Sequence, residues 1–197
     1  MSAVDLPDSV VEEFRACLDA ARAADTLEPT AMTLATVGSE GRVSARVVLL
    51  KDMDQQGFVF YTNLDSDKGH QLQAVPRAAL NIFWAPIARQ VRVEGVAESV
   101  SAAEADAYFA SRPRGSQIGA WASRQSRPLS GREALEAEVA RVEAQYRGRT
   151  VPRPPHWSGF RVRPDMVEFW YGREYRLHDR FRWTLEDGEW QCRRLFP

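Results

Sequence analysis

Between positions 46 and 68, in RVVLLKDMDQQGFVFYTNLDSDK, the polar residues Arg46, Lys51, Tyr61, Thr62, Ser66 and Lys68 stand at the ends of two apolar runs. Cations, hydroxyls and a helix N-terminus brought together make an anion site, and phosphate suits it best. The competing reading is a hairpin with charged rims. Lysine usage tilts the balance. The chain has 26 basic residues, and only Lys51 and Lys68 are lysines. A lysine ammonium is a compact point charge that arginine does not reproduce.

Two further segments carry chemistry. In YFASRPRGS (108–116), Tyr108 and Arg112 are spaced i, i+4, on one face of a helix, and Ser116 follows. They form a second anion-binding set, or else an amphipathic helix end with a solvated arginine. The densest stretch is EFWYGREYRLHDR (168–180). Read as extended, Arg176, His178 and Arg180 share one face. Phe169, Trp170, Tyr171 and Tyr175 are close enough in sequence to wall off a planar ligand. His178 is then able to accept or donate a hydrogen bond. His70 and His156 are isolated, and no role is expected for them. The sequence holds no G-x-x-x-x-G-K-[ST], G-x-G-x-x-G after a strand, H-E-x-x-H or C-x-x-C. It is therefore not expected to be a P-loop NTPase, a Rossmann dehydrogenase or a common zinc hydrolase, and no metal site is expected.

The elements that must position these residues follow from pattern. Val47, Val48, Leu49 and Leu50 read as a strand buried on both faces. Asp54-Gln55-Gln56-Gly57 is a turn, and Phe58 to Tyr61 the return strand. Asp65 or Ser66 caps a helix through Gln73. Upstream, Asp8 or Ser9 caps a helix to about Ala24, with Val11, Phe14, Cys17, Leu18 and Ala21 on one face. Strands are expected over Met32–Val37, Ala79–Trp84 and Arg89–Val100. Ser101 with Glu104 forms a capping box for a helix ending before Pro113. Ser116–Ser123 reads as a short buried helix. A charged helix over 131–147 has Leu135, Val139, Val142 and Tyr146 along one side. Phe160–Val162 and Val167–Trp170 flank a Pro164-Asp165 turn, and a last hairpin turns at Asp187-Gly188.

Roughly seven or eight strands mixed with helices, with short hairpin connections, are expected. A mostly β fold, an antiparallel barrel with peripheral helices, fits best. The chain of 197 residues reads as one domain: an N-terminal helix to residue 28, main barrel strands over 29–100, a helical segment over 101–150 and C-terminal strands over 151–197. Net charge is -1 and 44% of residues are hydrophobic, which argues against a dedicated nucleic-acid binder. Cys17 and Cys192 are the only cysteines, so a reducing cytoplasm is the expected compartment. MSAVDLPDSVVEEF lacks the apolar stretch of a signal peptide, and no run approaches a membrane span.

With these sets in hand, the sequence resembles the pyridoxine/pyridoxamine 5'-phosphate oxidase family. The matching residues are RVVLLK (46–51), FYTN (60–63), RQVRVEG (89–95), YFASRPRGSQIGAWAS (108–123), QS (125–126), WSGFRV (157–162), EFW (168–170) and RLHDRF (176–181). The resemblance implies a split β-barrel homodimer with FMN in each of two clefts between subunits. Arg46, Lys68, Gln125 and Ser126 resemble the contacts to the FMN phosphate. Val47 to Leu50 (Val47, Val48, Leu49, Leu50), Tyr61, Thr62, Gln90, Trp170 and Arg180 resemble other flavin contacts. Lys51, Tyr108, Arg112 and Ser116 resemble the clamp on a substrate phosphate, with Lys51 among the cofactor contacts as well. Arg176, Leu177 and His178 resemble the residues at the pyridine ring, with Arg176 and His178 as the catalytic pair.

Two differences stand out. Asp67 occupies a position of the flavin site where family members usually carry arginine. The sequence also starts near the first helix, without the basic arm that in longer members can fold over the substrate. The first bears on flavin affinity and the second on closure of the site. The implied reaction is oxidation of pyridoxamine or pyridoxine 5'-phosphate to pyridoxal 5'-phosphate, with O2 as acceptor and H2O2 as product. A related oxidase of another substrate, such as a phenazine precursor, and a non-catalytic binder of FMN or pyridoxal phosphate are the rival readings.

Overall fold

The computed structural model describes residues 4–197. The expectation about a signal peptide rests partly on residues 1–3, which lie outside the described residues. No helix among those described is long and apolar enough to cross a membrane.

The chain opens with helix α1 (Asp8–Ala23). Among the described residues no side chain caps it, and neither Asp8 nor Ser9 acts as the expected cap. Pro7 holds the N-cap position, and Asp8, in the first turn, accepts instead from the Gln55 amide at 2.6 Å. The strands are β1 (Ala31–Val37), β2 (Val43–Leu49), β3 (Asp52–Asp54), β4 (Gly57–Asn63), β5 (Arg77–Trp84), β6 (Arg89–Ser99), β7 (Trp157–Tyr171), β8 (Asp179–Glu186) and β9 (Glu189–Leu195). They form one sheet in the order β2-β1-β5-β6-β7-β4-β3, and β8 and β9 continue from the far half of β7. All the pairings are antiparallel. Four more helices decorate it: α2 (Asp67–Ala74), α3 (Ala102–Ser111), α4 (Arg114–Ala122) and α5 (Arg132–Gln145).

The inner face of the sheet closes on α1. Val10, Phe14, Leu18 and Ala21 pack among Met32, Leu34, Phe58, Leu80, Ile82, Trp84, Val91 and Val167 in one continuous core. Phe14 meets the Phe58 ring edge-on at 5.1 Å. A second cluster joins Phe109, Ile118, Val142, Val151 and Trp157, and so docks α3, α4 and α5 against the start of β7. In α5 the apolar side reaches this cluster only at its end: Val142 is buried, whereas Val139 is exposed. In α4 only Ile118 and Ala122 are buried, so the helix expected to be buried lies half at the surface.

Two expectations about strands change. Residues 160–170 do not fold as two strands about a turn. They lie within the one long strand β7, because β6 pairs with it on both sides of Pro164. The register shifts between Glu94 and Gly95, a bulge that absorbs the proline's missing N–H. Gly95 is needed there: a Cβ would stand 2.1 Å from the Arg163 carbonyl oxygen. The Val47–Leu50 run is not buried on both faces either. Among the described residues β2 is an edge strand paired with β1 alone, and Val47 is 66% exposed. Val47 and Leu49 line a cleft, while Val48 also packs against the core and Leu50 belongs to it.

Candidate active site

The β4–α2 corner is built by local rules. Ser66 caps α2, its Oγ accepting from the Gly69 N–H at 3.3 Å and donating to the Asn63 carbonyl at 2.6 Å. The loop after α4 folds over this corner. Lys68 Nζ donates to Gln125 Oε1 at 2.8 Å, Thr62 Oγ1 reaches the same oxygen at 3.4 Å, and the Asp67 N–H donates to Ser126 Oγ at 3.3 Å. Arg46 comes from β2 and lies below α2, donating to Thr36 Oγ1 and, at 3.3 Å, to Gln71 Oε1. Burial pulls the pKa of Arg46 and of Lys68 below their usual values, and for Lys68 the neighbouring Arg46 charge adds to the effect. Asp67 works in the opposite direction on both. Two desolvated cations with one exposed carboxylate beside them remain electrostatically hungry for an anion.

An open cleft of ≈ 790 Å³ runs from this corner. Val47, Val48, Leu49, Lys51, Tyr61, Thr62, Lys68, Tyr108, Arg112, Ser116 and Gln125 line it, so both anion sets face one space. Arg46, Leu50, Asp67 and Ser126 are not among the lining residues. Leu50 is part of the core. Tyr61, Tyr108 and Trp157 lie nearly parallel, with Tyr61 and Tyr108 stacked at 4.0 Å. Burial pushes the Tyr61 phenol up, and the carboxylates of Glu104 and Asp52 add to this.

Arg112 does not share a helix face with Tyr108, because α3 stops at Ser111 and Arg112 is its extended C-cap. Pro113 forces this stop. The exit swings the guanidinium over Trp157, 4.8 Å from the ring centroid. Its Nη1 is buried and has no hydrogen-bond partner among the described residues. Burial holds the Arg112 pKa below its ordinary value, with Tyr108 opposing. A buried, unpaired guanidinium nitrogen is costly unless a ligand completes it.

The remaining candidates sit elsewhere. Gln90, Trp170 and Arg180 are in register across β6, β7 and β8. Arg176, His178 and Arg180 do not share an extended face, since β8 begins only at Asp179. Arg176 lies in a tight turn with Tyr175, both at positive φ, and is exposed. Leu177 and His178 line a separate small pocket with the C-terminal Leu195 to Pro197. Along β7, Trp157 and Trp170 are thirteen residues apart, roughly 40 Å of strand. One chain therefore keeps the two groups at opposite ends of its longest strand.

The sequence reading missed Glu168. It is 1% exposed and accepts from Arg180 Nε at 2.9 Å and from Arg182 Nη2 at 2.8 Å, with Arg92 at 3.6 Å. Burial alone would raise its pKa. Hydrogen bonds from Arg182 and Arg180, with their charges, outweigh that and hold it below the ordinary carboxylate range. The available signal was a lone acid inside the apolar run MVEFW. Trp157, Asn63 and Ser123 also line the cleft without having been singled out as site residues.

The profile of the family described as Pyridoxamine 5'-phosphate oxidase matches residues 12–146. The chain belongs to this family. Residues 157–197 match the Pyridoxine 5'-phosphate oxidase C-terminal dimerisation region. A Pyridoxine/pyridoxamine 5'-phosphate oxidase of Myxococcus xanthus (strain DK1622) is 57% identical over 194 residues, 98% of this chain and 94% of the relative. One from Synechocystis sp. is 54% identical over 193 residues, 98% of this chain and 90% of the relative. Among solved structures, PhzG from Burkholderia lata 383, in complex with tetrahydrophenazine-1-carboxylic acid, has a TM-score of 0.89 at 33% identity, covering 98% of this chain and 93% of that one. In this pyridoxamine 5'-phosphate oxidase family member the expected split-barrel fold is present.

Proposed function

We propose that the chain is an FMN-dependent oxidase that converts pyridoxamine or pyridoxine 5'-phosphate to pyridoxal 5'-phosphate, working as a cytoplasmic homodimer. One observation carries this reading: a single cleft holds two separate anion sets, one at Lys68 and one at the unpartnered Nη1 of Arg112. A flavin phosphate and a substrate phosphate are two such anions. The names of the relatives from Myxococcus and Synechocystis support it.

The donor set fits FMN. Lys68, Gln125 and Ser126, with Arg46 behind them, would hold its phosphate. Val47 to Leu49, Tyr61 and Thr62 offer an apolar wall with hydroxyls for the rest. The chemistry that bound FMN supplies is acceptance of a hydride from the substrate's C4' carbon and its passage to O2, giving H2O2. Lys51, Arg112 and Ser116 clamp the substrate phosphate. This fixes the reacting carbon and lowers the entropic part of the barrier. Arg176 and His178 orient the pyridine ring, and the stacked rings of Tyr61, Tyr108 and Trp157 form a rigid wall at the phosphate end.

A second chain supplies Arg176, His178, Trp170 and Arg180 to each cleft, since one chain holds them far from it. The pairing register puts Val47, Phe83, Gln90, Trp170 and Arg180 on the sheet face opposite α1. Val47 and Phe83 are exposed there, as a partner's footprint requires. The two free thiols fit a reducing compartment.

The test adds FMN and then pyridoxine 5'-phosphate to purified protein. A flavin absorption band followed by peroxide release, from a species that sediments as a dimer, is the expected result. A flavin-loaded protein that releases no peroxide would leave the binder reading. The likeness to PhzG favours one rival, oxidation of a phenazine precursor. Faster turnover of a reduced phenazine carboxylate than of the phosphorylated pyridines would decide for it.

Asp67 provides a separate prediction. It is exposed and close enough to act on both Arg46 and Lys68. A phosphate held by those cations would feel it as repulsion, while as a first-turn acid it favours α2 by about 0.3–1 kcal/mol. An exposed charge pair contributes up to ~1 kcal/mol, or about fivefold in affinity. Asp67→Arg is therefore expected to tighten FMN binding severalfold at low salt, with the apoprotein equally or slightly less stable. Titrations at two salt concentrations check this. An unchanged affinity at low salt would reduce Asp67 to a helix-start residue.

A further inference from the structure

Between Gly172 and Asp179 the chain doubles back on itself. Tyr175 and Arg176 both hold left-handed backbone, at φ 56° and 61°. Side chains other than glycine rarely adopt it, and such strain gathers at ligand sites. The turn returns residue 178 to residue 173. There the main-chain N–H of Arg173 donates to Nδ1 of His178 at 3.1 Å. The Arg173 side chain ties the same loop from outside: its Nε donates to Asp179 Oδ2 at 2.8 Å, and Asp179 also pairs with Arg194 of β9. The Trp170 indole stands beside the imidazole, tilted 47° to it with centroids 4.5 Å apart. His178 is thus held at one nitrogen and by one aromatic neighbour, and it is half-buried.

A main-chain amide only donates. Nδ1 must therefore present its lone pair, and the one proton of the neutral ring sits on Nε2. We propose that the Arg173 amide fixes His178 as the Nε2–H tautomer, so that His178 meets the ligand as a hydrogen-bond donor, with Arg173 as its positioning residue. The group it recognises is an acceptor on a planar ligand, an oxygen or an unprotonated ring nitrogen. A donor at the same place would set N–H against N–H. The ligand side of this inference rests on the oxidase reading, which brings the substrate ring to His178. The tautomer rests on the loop alone.

Nitrogen-15 NMR of labelled histidine reads the tautomer directly. The chain has three histidines, and the signals lost in His178→Gln belong to His178. At a pH near ~8, where an ordinary imidazole is neutral, an unprotonated Nδ1 and a protonated Nε2 are expected. Arg173→Ala keeps the main-chain N–H and should keep this pattern. Arg173→Pro removes it and should give a mixture of tautomers. A protonated Nδ1 in the unaltered protein would overturn the proposal, as would an unchanged pattern in a folded Arg173→Pro.

Should Arg173→Pro fail to fold, two substitutions at 178 keep the test open. Glutamine places an N–H donor near the position of Nε2, and asparagine places one nearer Nδ1. His178→Gln is expected to retain kcat/KM within about tenfold, and His178→Asn to lose roughly a hundredfold. Equal losses would count against the donor role. An inactive protein with an Nε2–H ring would defeat the oxidase reading and leave the tautomer standing. An active oxidase with an Nδ1–H ring would do the reverse.

Discussion

Arg112→Ala is expected to lower kcat/KM for pyridoxine 5'-phosphate by roughly 10- to 150-fold, with little change for unphosphorylated pyridoxine. The range is that of one charge-assisted hydrogen bond, about 1.5–3 kcal/mol. The reason for choosing Arg112 is its buried Nη1, which no group among the described residues satisfies. The guanidinium is already positioned by its stacking over Trp157, 4.8 Å from the ring centroid. Little further ordering is lost when a phosphate arrives. In the ligand-free protein two effects oppose each other. Removing a desolvated charge favours folding, while losing the cation–π contact costs about 0.5–2 kcal/mol. Stability should therefore change little while the KM for the phosphorylated substrate rises. Lys51→Met, on the other side of the cleft, should act in the same direction but less strongly, since Lys51 is exposed. Steady-state kinetics on the two substrates decide the matter. Equal losses on both would mean that neither residue grips the phosphate.

Glu168→Ala should destabilise the protein by about 3 kcal/mol and weaken FMN binding with it. Leaving one partner of a buried charge cluster alone costs roughly 3–5 kcal/mol. The arginines here keep some contact with water, 24% for Arg180 and 36% for Arg182, so the lower end applies. Arg180 would lose its anchor and Trp170 its ordered neighbour across the register. Glu168 also sets an acid limit. Its carboxyl titrates lower in the folded chain than in the unfolded one. The unfolded chain thus binds the extra proton first. The stabilisation is fully present above the unfolded value, ~4.3, and is lost as pH falls through the lower folded value. Glu168→Gln should remove that part of the acid slope. Urea unfolding at neutral pH and near pH ~4 measures both effects. A variant as stable as the parent at both would show that the three guanidiniums need no counter-charge.

How much of this was legible beforehand varies with the range of the interaction. Ser66 as a cap and the capping box of Ser101 with Glu104 are both present. They depend on a few residues along the chain, so local chemistry settles them. The chemical inventory of the cleft was readable for the same reason: two lysines, an Arg-Pro exit from a helix and hydroxyls at strand ends. Misreadings arose where a distant neighbour decides. Pro164 looks like a turn until β6 pairs with β7 on both sides of it. Arg176 looks like part of a strand, but β8 begins only at Asp179, which pairs with Arg173 and Arg194, and Tyr175 and Arg176 form a left-handed turn before it.

The sequence by itself determined most of the elements, the caps of α2 and α3 and the residue types that make a two-anion cleft, because propensity, capping and patterning act over a few residues. Tertiary structure alone decided that Val47 faces a cleft, since edge or centre is a matter of strand order. It alone decided that Arg112 keeps a nitrogen without a partner and that Glu168 is surrounded by three arginines, since burial and register sum over chain segments far apart in sequence. It also set Trp157 and Trp170 at opposite ends of one strand. A strand's rise of ~3.3 Å per residue makes that separation too long for one chain to close.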